Sequence, residues 1–168
     1  VHQQALRGVG LIELERGDRA KAKAQYERLL GRAAMGRGAC EHWAHADYGW
    51  LLFLDGDLPG ARQHLEEAVR MGQSGAYITD SQLSEHLYRL GEVYWALGGE
   101  TRQQPQFALR MFMEAAKVEG HAQASALVGL GRYYEGVAKN GGAAAALYRK
   151  AVALDPSVST AGIEALLR

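Results

Sequence analysis

Apolar side chains recur along this chain at intervals of three and four residues, with polar side chains between them. The stretch from Leu87 to Tyr94 shows this spacing, and so does the stretch from Leu127 to Tyr134. Such spacing places apolar residues on one face of an α-helix, whereas no segment alternates apolar and polar residues as a β-strand does. The pattern therefore predicts an all-α fold.

Prolines and glycines mark the breaks between the helical stretches. Pro59, Pro105 and Pro156 each lie where a helical pattern begins or ends, which is where a missing backbone N–H costs little. We predict helices over residues 3–16, 19–32, 41–55, 58–71, 80–97, 105–118, 121–137, 141–153 and 159–167.

Four pairs of these helices share one arrangement of small and bulky residues. The first helix of each pair carries a glycine after an apolar residue: Gly10, Gly49, Gly91 and Gly131. The second helix carries an alanine and, four positions later, a bulky residue: Ala22 and Tyr26, Ala61 and Leu65, Ala108 and Phe112, Ala144 and Tyr148. Small residues allow two helices to cross closely, and the bulky residue fills the adjacent groove. One pair leaves an apolar face uncovered, so several pairs must stack.

This pattern resembles the tetratricopeptide repeat, a helix–turn–helix unit of about 34 residues. The fourth pair matches the signature positions of that family most closely, through Leu130, Gly131, Tyr134, Ala144, Tyr148, Ala151 and Pro156. The resemblance implies a right-handed α-solenoid. It also implies a single array over residues 1–168, with repeats at about 3–36, 42–75, 84–120 and 124–156.

Both ends of the sequence suggest a longer parent protein. The chain begins at Val1 rather than at an initiator methionine, and residues 157–168 look like the start of a fifth repeat. A terminal repeat of a solenoid normally carries a polar outer face, whereas this segment contains Ile163, Leu166 and Leu167. We therefore expect this sequence to be a piece of a longer array.

The third pair has an unusually long turn. A Tyr94-Trp95 helix leads into Gly98-Gly99-Glu100-Thr101-Arg102. Over residues 85–156 this feature is similar to the tetratricopeptide scaffold subunit of the superkiller (Ski) complex. That resemblance implies an RNA helicase and WD40-repeat subunits as partners. It also implies a role in exosome-mediated 3′-to-5′ mRNA decay and a cytoplasmic location, with the nucleus as an additional one. The alternative is a general peptide-binding adaptor unrelated to RNA decay.

The family resemblance also implies which side chains face a partner, because the first helix of each repeat lines the inner, concave face. Mapping from the signature glycines selects Arg7, Trp43, Asp47, Trp50, Glu85, Tyr88, Arg89, Glu92 and Arg132. The set mixes aromatic groups with both signs of charge, which suits an extended or helical peptide, with Trp50 as an anchor. For Trp43 and Trp50 the alternative is packing between neighbouring repeats.

Charge and hydropathy argue against two classes of partner, nucleic acids and membranes. The chain has 19 Lys+Arg against 19 Asp+Glu, so it lacks the basic excess of a dedicated nucleic-acid binder. Its densest basic zone, residues 21–37, is interrupted by Glu27 and contains Tyr26 as its one aromatic residue. We expect little or no direct nucleic-acid contact. No apolar run approaches the roughly 18 residues that span a membrane.

The sequence predicts neither an enzyme nor a cofactor or metal site. Gly129-Leu130-Gly131 lacks the preceding strand of a dinucleotide loop. The segment Cys40–His45 could supply three metal ligands, from Cys40, His42 and His45, but it offers no convincing fourth. A surface thiol and two solvated histidines are the simpler interpretation. Neighbouring acids such as Glu66 and Glu67 diverge by about 100° on a helix, so they do not form a catalytic pair.

Overall fold

All regular structure in the described part of the chain is helical. The computed structural model describes residues 10, 12–14, 16–34, 42–74, 78–99 and 104–158. Its helices are α1 (Arg19–Ala34), α2 (His42–Leu54), α3 (Leu58–Gln73), α4 (Asp80–Ala96), α5 (Gln104–Ala115), α6 (His121–Gly136) and α7 (Gly141–Leu154), with a 3-10 turn at Leu97–Gly99. Residues 10 and 12–14 are also helical. The all-α prediction is confirmed.

The predicted boundaries agree closely with these helices. The largest difference is at α5, which ends at Ala115 rather than at residue 118. There the backbone tightens, since the N–H groups of Lys117 and Val118 bond to carbonyls only three residues back. The predicted helix at 159–167 and most of the one at 3–16 lie outside the described residues, as does the Glu100–Arg102 part of the long turn.

The contacts divide the chain into two compact units, Val1–Tyr77 and Ile78–Arg168. Within the first unit, α2 packs against both α1 and α3. Within the second unit, α4 packs against α5, α6 packs against both α4 and α5, and α7 packs against α6. Each unit is therefore built from helix hairpins of the predicted kind.

Short polar residues begin several of these helices. The Asp57 carboxylate accepts a 3.0 Å hydrogen bond from the Gly60 N–H at the start of α3. Thr79 and Gln82 form a capping box at the start of α4, each side chain accepting from the other residue's backbone N–H. These caps satisfy N–H groups that have no partner inside the helix.

The predicted close crossings between small and bulky residues are present in both units. A Cβ atom built on Gly91 would lie 2.6 Å from the Phe112 ring, and one built on Gly49 would lie 2.9 Å from Leu65. A Cβ on Gly131 would overlap the Tyr148 ring. Phe112, Leu65 and Tyr148 are fully buried. Glycine is therefore required where these helices cross.

Candidate functional site

In the second unit, five of the predicted partner-facing residues lie together on adjacent helices. Tyr88 and Arg89 lie three and four residues after Glu85, and Glu92 lies four and three residues after them, which places all four on one face of α4. The Arg132 guanidinium on α6 forms an ion pair with the Glu92 carboxylate across the two helices. We call these five residues the α4–α6 face.

Arg132 is held in place by several groups at once. Its guanidinium carbon lies 5.8 Å from the centre of the Trp95 ring and 5.9 Å from that of Phe112, within the range of a cation–π interaction. About a third of the side chain, 33 %, remains exposed, whereas its partner Glu92 is 13 % exposed. The structure thus holds Arg132 between an acid and two aromatic rings and leaves about a third of the side chain open to solvent.

A second ion pair lies one to two turns earlier on the same helix. Nε of Arg89 donates a 2.9 Å hydrogen bond to the Glu85 carboxylate, and both side chains are partly exposed. The α4–α6 face therefore carries two carboxylates and two guanidiniums and has no net charge. Such a surface offers both hydrogen-bond donors and acceptors to a partner.

Tyr88 places an aromatic ring between these charges. Its ring centre lies 6.3 Å from that of Phe112, and its hydroxyl bonds to Ser125. Burial, followed by the negative charge of Glu92, raises the pKa of the Tyr88 hydroxyl to about 12. The hydroxyl is therefore neutral at physiological pH and keeps its proton.

Two residues of this site were not among the predicted ones. Trp95 is half-buried and lies beside Arg132, and Ser125 bonds to Tyr88. Trp95 follows Glu92 by three residues, so continuing the helical spacing by one step would have found it. Ser125 lies on another helix, and no local signal in the sequence points to it.

The predicted residues of the first unit are less exposed. Trp43 and Asp47 on α2 are each only 6 % exposed, which leaves them little surface for a partner and agrees with the packing alternative for Trp43. Trp50 is half-buried, and its ring stacks on that of Phe53 with centres 4.8 Å apart. Arg7 lies outside the described residues.

The histidines considered as metal ligands differ from the solvated pair expected. His42 is 5 % exposed and His45 is half-buried, because α2 packs between α1 and α3. Cys40 lies outside the described residues. His45 instead faces His64 of α3, and their Nδ1 atoms are 3.0 Å apart.

Sequence comparison finds relatives that are much longer than this chain. No family model matches it. Superkiller complex protein 3 of Mus musculus is 32 % identical over 123 residues, which cover 73 % of this chain and 7 % of that protein. Tetratricopeptide repeat protein 37 of Xenopus laevis is 38 % identical over 128 residues, 75 % of this chain and 8 % of that protein. The chain thus spans less than a tenth of the length of either relative.

Solved structures with the same fold show much lower sequence identity. MamA superposes with a TM-score of 0.69 at 16 % identity, covering 92 % of this chain and 79 % of that one. A kinesin light chain of Podosopora anserina with TPR-like repeats gives a TM-score of 0.70 at 15 % identity, covering 92 % and 75 %. At such identity the similarity shows the fold alone. It confirms the predicted fold class, an all-α solenoid of tetratricopeptide hairpins.

Three independent observations now agree. The helices form hairpins, glycines lie at their crossings, and the relatives in sequence and in structure carry tetratricopeptide-type repeats. The chain is a tetratricopeptide-repeat protein that resembles superkiller complex protein 3.

Proposed function

We propose that this chain is part of a protein-interaction scaffold in a superkiller-type complex that assists exosome-mediated 3′-to-5′ mRNA decay. The observation that carries the proposal is the 32–38 % identity to superkiller complex protein 3 and tetratricopeptide repeat protein 37 over about three quarters of the chain. By the same resemblance, its partners are an RNA helicase and WD40-repeat subunits, its location is the cytoplasm, and the nucleus is an additional location.

The α4–α6 face supports the protein-binding part of this proposal. Arg132 is already held by Glu92, Trp95 and Phe112, so a partner would not have to order that side chain. Preorganised side chains improve affinity because less conformational entropy is lost on binding. Tyrosine, tryptophan and arginine are also the residue types that dominate protein–protein binding energy.

The basic zone of the first unit gives no support to nucleic-acid binding. Within the zone, Nζ of Lys21 lies 2.8 Å from the Asp18 carboxylate. Just before the zone, the Arg19 guanidinium lies 3.1 Å from the Asp55 carboxylate. Neighbouring acids thus offset part of this charge. We infer a scaffold without enzymatic activity that makes little or no direct contact with RNA through this segment.

A general peptide-binding adaptor is the second candidate. The fold is equally compatible with this function, since MamA and the kinesin light chain have the same fold and neither is named as a superkiller protein. An adaptor of this kind would use the same α4–α6 face but would recover different partners. The identity of the partner therefore separates the two functions.

The test is affinity purification of the full-length parent protein from cells of its source, with mass spectrometry of the bound proteins. A superkiller-type scaffold recovers an RNA helicase and WD40-repeat proteins, and Arg132→Glu reduces their recovery. The control Lys150→Glu, an exposed position on α7, leaves recovery unchanged. Recovery of chaperones or cargo proteins without a helicase would reject the superkiller assignment.

A further inference from the structure

Two half-buried imidazole rings face each other where α2 crosses α3. The Nδ1 atoms of His45 and His64 are 3.0 Å apart, and the ring centres are 5.2 Å apart. Only one proton fits between the two Nδ1 atoms, so one ring donates through its Nδ1–H and the other accepts. The two residues are 19 positions apart in the sequence, so this bond joins the two helices of one hairpin.

The side chains around the pair leave the rings little room to separate while the helices stay packed. A Cβ atom built on Gly49 of α2 would lie 3.2 Å from Cβ of His64, so His64 lies directly at the close crossing. The edge of the Tyr48 ring packs against the His64 ring with centres 4.7 Å apart. The Tyr48 hydroxyl in turn donates a 2.9 Å hydrogen bond to Glu27, the charged group that α1 adds to this cluster. A displacement of the His64 ring would therefore disturb contacts of α1, α2 and α3.

The surroundings of the pair favour neutral rings. Burial lowers the pKa of both His45 and His64, because it disfavours the charged form of an imidazole. For His45, the charges of His64 and Arg70 also lower the pKa, whereas Glu67 acts to raise it. Glu67 and Arg70 are paired with each other through hydrogen bonds of 2.7 and 2.5 Å. For His64, the charge that opposes burial is that of Asp57. These acids do not outweigh burial.

The bond between the rings tolerates one added proton but not two. In the neutral pair, the ring that donates through Nδ1–H has an unprotonated Nε2. A first added proton binds that Nε2 and leaves the bond between the Nδ1 atoms in place. A second proton has to bind the Nδ1 that accepts, which removes the acceptor. Two imidazolium rings would then face each other, and like charges at so short a distance repel.

We propose that His45 and His64 form a proton-sensitive clasp, which holds α2 against α3 while at least one ring is neutral and opens when both rings are protonated. Opening the clasp loosens the hairpin of α2 and α3, so the first unit is less stable in acid than at neutral pH. The clasp depends only on contacts within the first unit. It is therefore independent of the superkiller assignment, and either can fail without the other.

The direction of the pH effect follows from the number of protons that each state can bind. In the unfolded chain both histidines have the ordinary pKa of about 6.5, so the two rings together take up two protons as the pH falls below that value. The closed clasp takes up at most one. The stability that the clasp contributes is therefore present above about pH 6.5 and is lost as the pH falls below it. One proton changes the unfolding constant by about tenfold per pH unit.

The first test is urea unfolding of the purified 168-residue chain between pH 7.5 and pH 5.0. Tryptophan fluorescence follows it, since Trp43 and Trp50 lie in α2. His45→Gln and His64→Gln each keep a hydrogen-bonding side chain but leave one titrating ring. As the pH falls, we expect the unfolding constant of the unaltered chain to rise more steeply than that of either variant, by up to about tenfold per pH unit. Equal slopes for all three proteins would overturn the clasp.

The second test is nitrogen-15 NMR of the histidine rings in the unaltered chain, with the ring signals assigned through the backbone. We expect one ring of the pair to protonate first and the other to stay neutral to a pH lower by about one unit or more, as strongly interacting sites do. His86→Gln alters a buried histidine of the second unit, so it is the matched control and leaves both steps unchanged. If the two rings titrate together near pH 6.5, the clasp is wrong, and this result decides the question even if a glutamine variant fails to fold.

Discussion

At the scale of single residues, glycines determine where the helices touch. The Tyr148 ring occupies the space that a side chain at position 131 would need, and the Phe112 ring lies against both Gly91 and Gly129. The sequence Gly129-Leu130-Gly131 lacks the strand of a dinucleotide loop, and the Phe112 ring beside Gly129 shows that this glycine serves the packing of α5 on α6. The absence of a Cβ atom at one glycine therefore determines how closely the helices can cross.

Substitution of two glycines tests this point. Gly131→Ala should destabilise the chain by about 1–3 kcal/mol, because the new methyl group overpacks the contact with Tyr148. Gly31→Ala is the matched control, since Gly31 also lies in a helix and no atom is near its missing Cβ. That change should stabilise the chain by about 0.5–1 kcal/mol through helix propensity. Urea unfolding of both variants measures the difference, and equal effects would refute the crossing.

Whether a side chain is exposed is harder to predict from the sequence than whether it belongs to a helix. Trp43 and Trp50 lie one heptad apart on α2, yet Trp43 is buried and Trp50 is half-buried. The spacing that assigns a residue to the inner face also suits packing against the neighbouring hairpin. Which of the two occurs depends on the side chains of that hairpin, and the helical pattern of α2 does not contain that information.

At the scale of helices, the residue at which a helix begins is determined by side chains close to it in the sequence, so it can be predicted from the sequence. Asp57 and Asn140 each accept a hydrogen bond from the N–H three residues later, and Thr79 forms a capping box with Gln82. Contacts between helices are different, since His45 and His64 are 19 residues apart and Glu92 and Arg132 are 40 apart. Such pairs require the packed fold, so the histidine pair could not be found by spacing.

Removal of one cap should weaken α4 measurably. Thr79→Ala eliminates the hydroxyl that accepts from the Gln82 N–H at 3.2 Å, and we expect a loss of about 1 kcal/mol in the free energy of unfolding. Thr79→Ser keeps the hydroxyl and should stay close to the original stability. If the alanine and serine variants unfold at the same urea concentration, the capping box contributes nothing to the fold.

The ion pair between α4 and α6 can be measured by a double-mutant cycle. Glu92→Gln, Arg132→Met and the double variant should give a coupling of about 0.5–1 kcal/mol, toward the low end for residues in contact because Arg132 is partly exposed. The coupling should fall as salt concentration rises, since exposed charges are screened. A cycle with no coupling at low salt would show that the two side chains do not pair in solution.

At the scale of the whole molecule, two compact units each contain hairpins of one repeat family. The repeat family could be predicted because its signature depends on a few small residues at helix crossings. The partner could not be derived from the fold, since the solved relatives share this fold at only 15–16 % identity. No helix in the described ranges is both long and apolar enough to cross a bilayer.

The most direct test of the proposed scaffold is site-specific photo-crosslinking in the full-length parent protein. A photoreactive residue is placed at Glu85, on the α4–α6 face, or at Met113, which is exposed on α5, the second helix of the same repeat. We predict an adduct between position 85 and an RNA helicase or a WD40-repeat subunit, and no such adduct from position 113. Crosslinking of these subunits through position 113 and not through position 85 would contradict binding at the α4–α6 face.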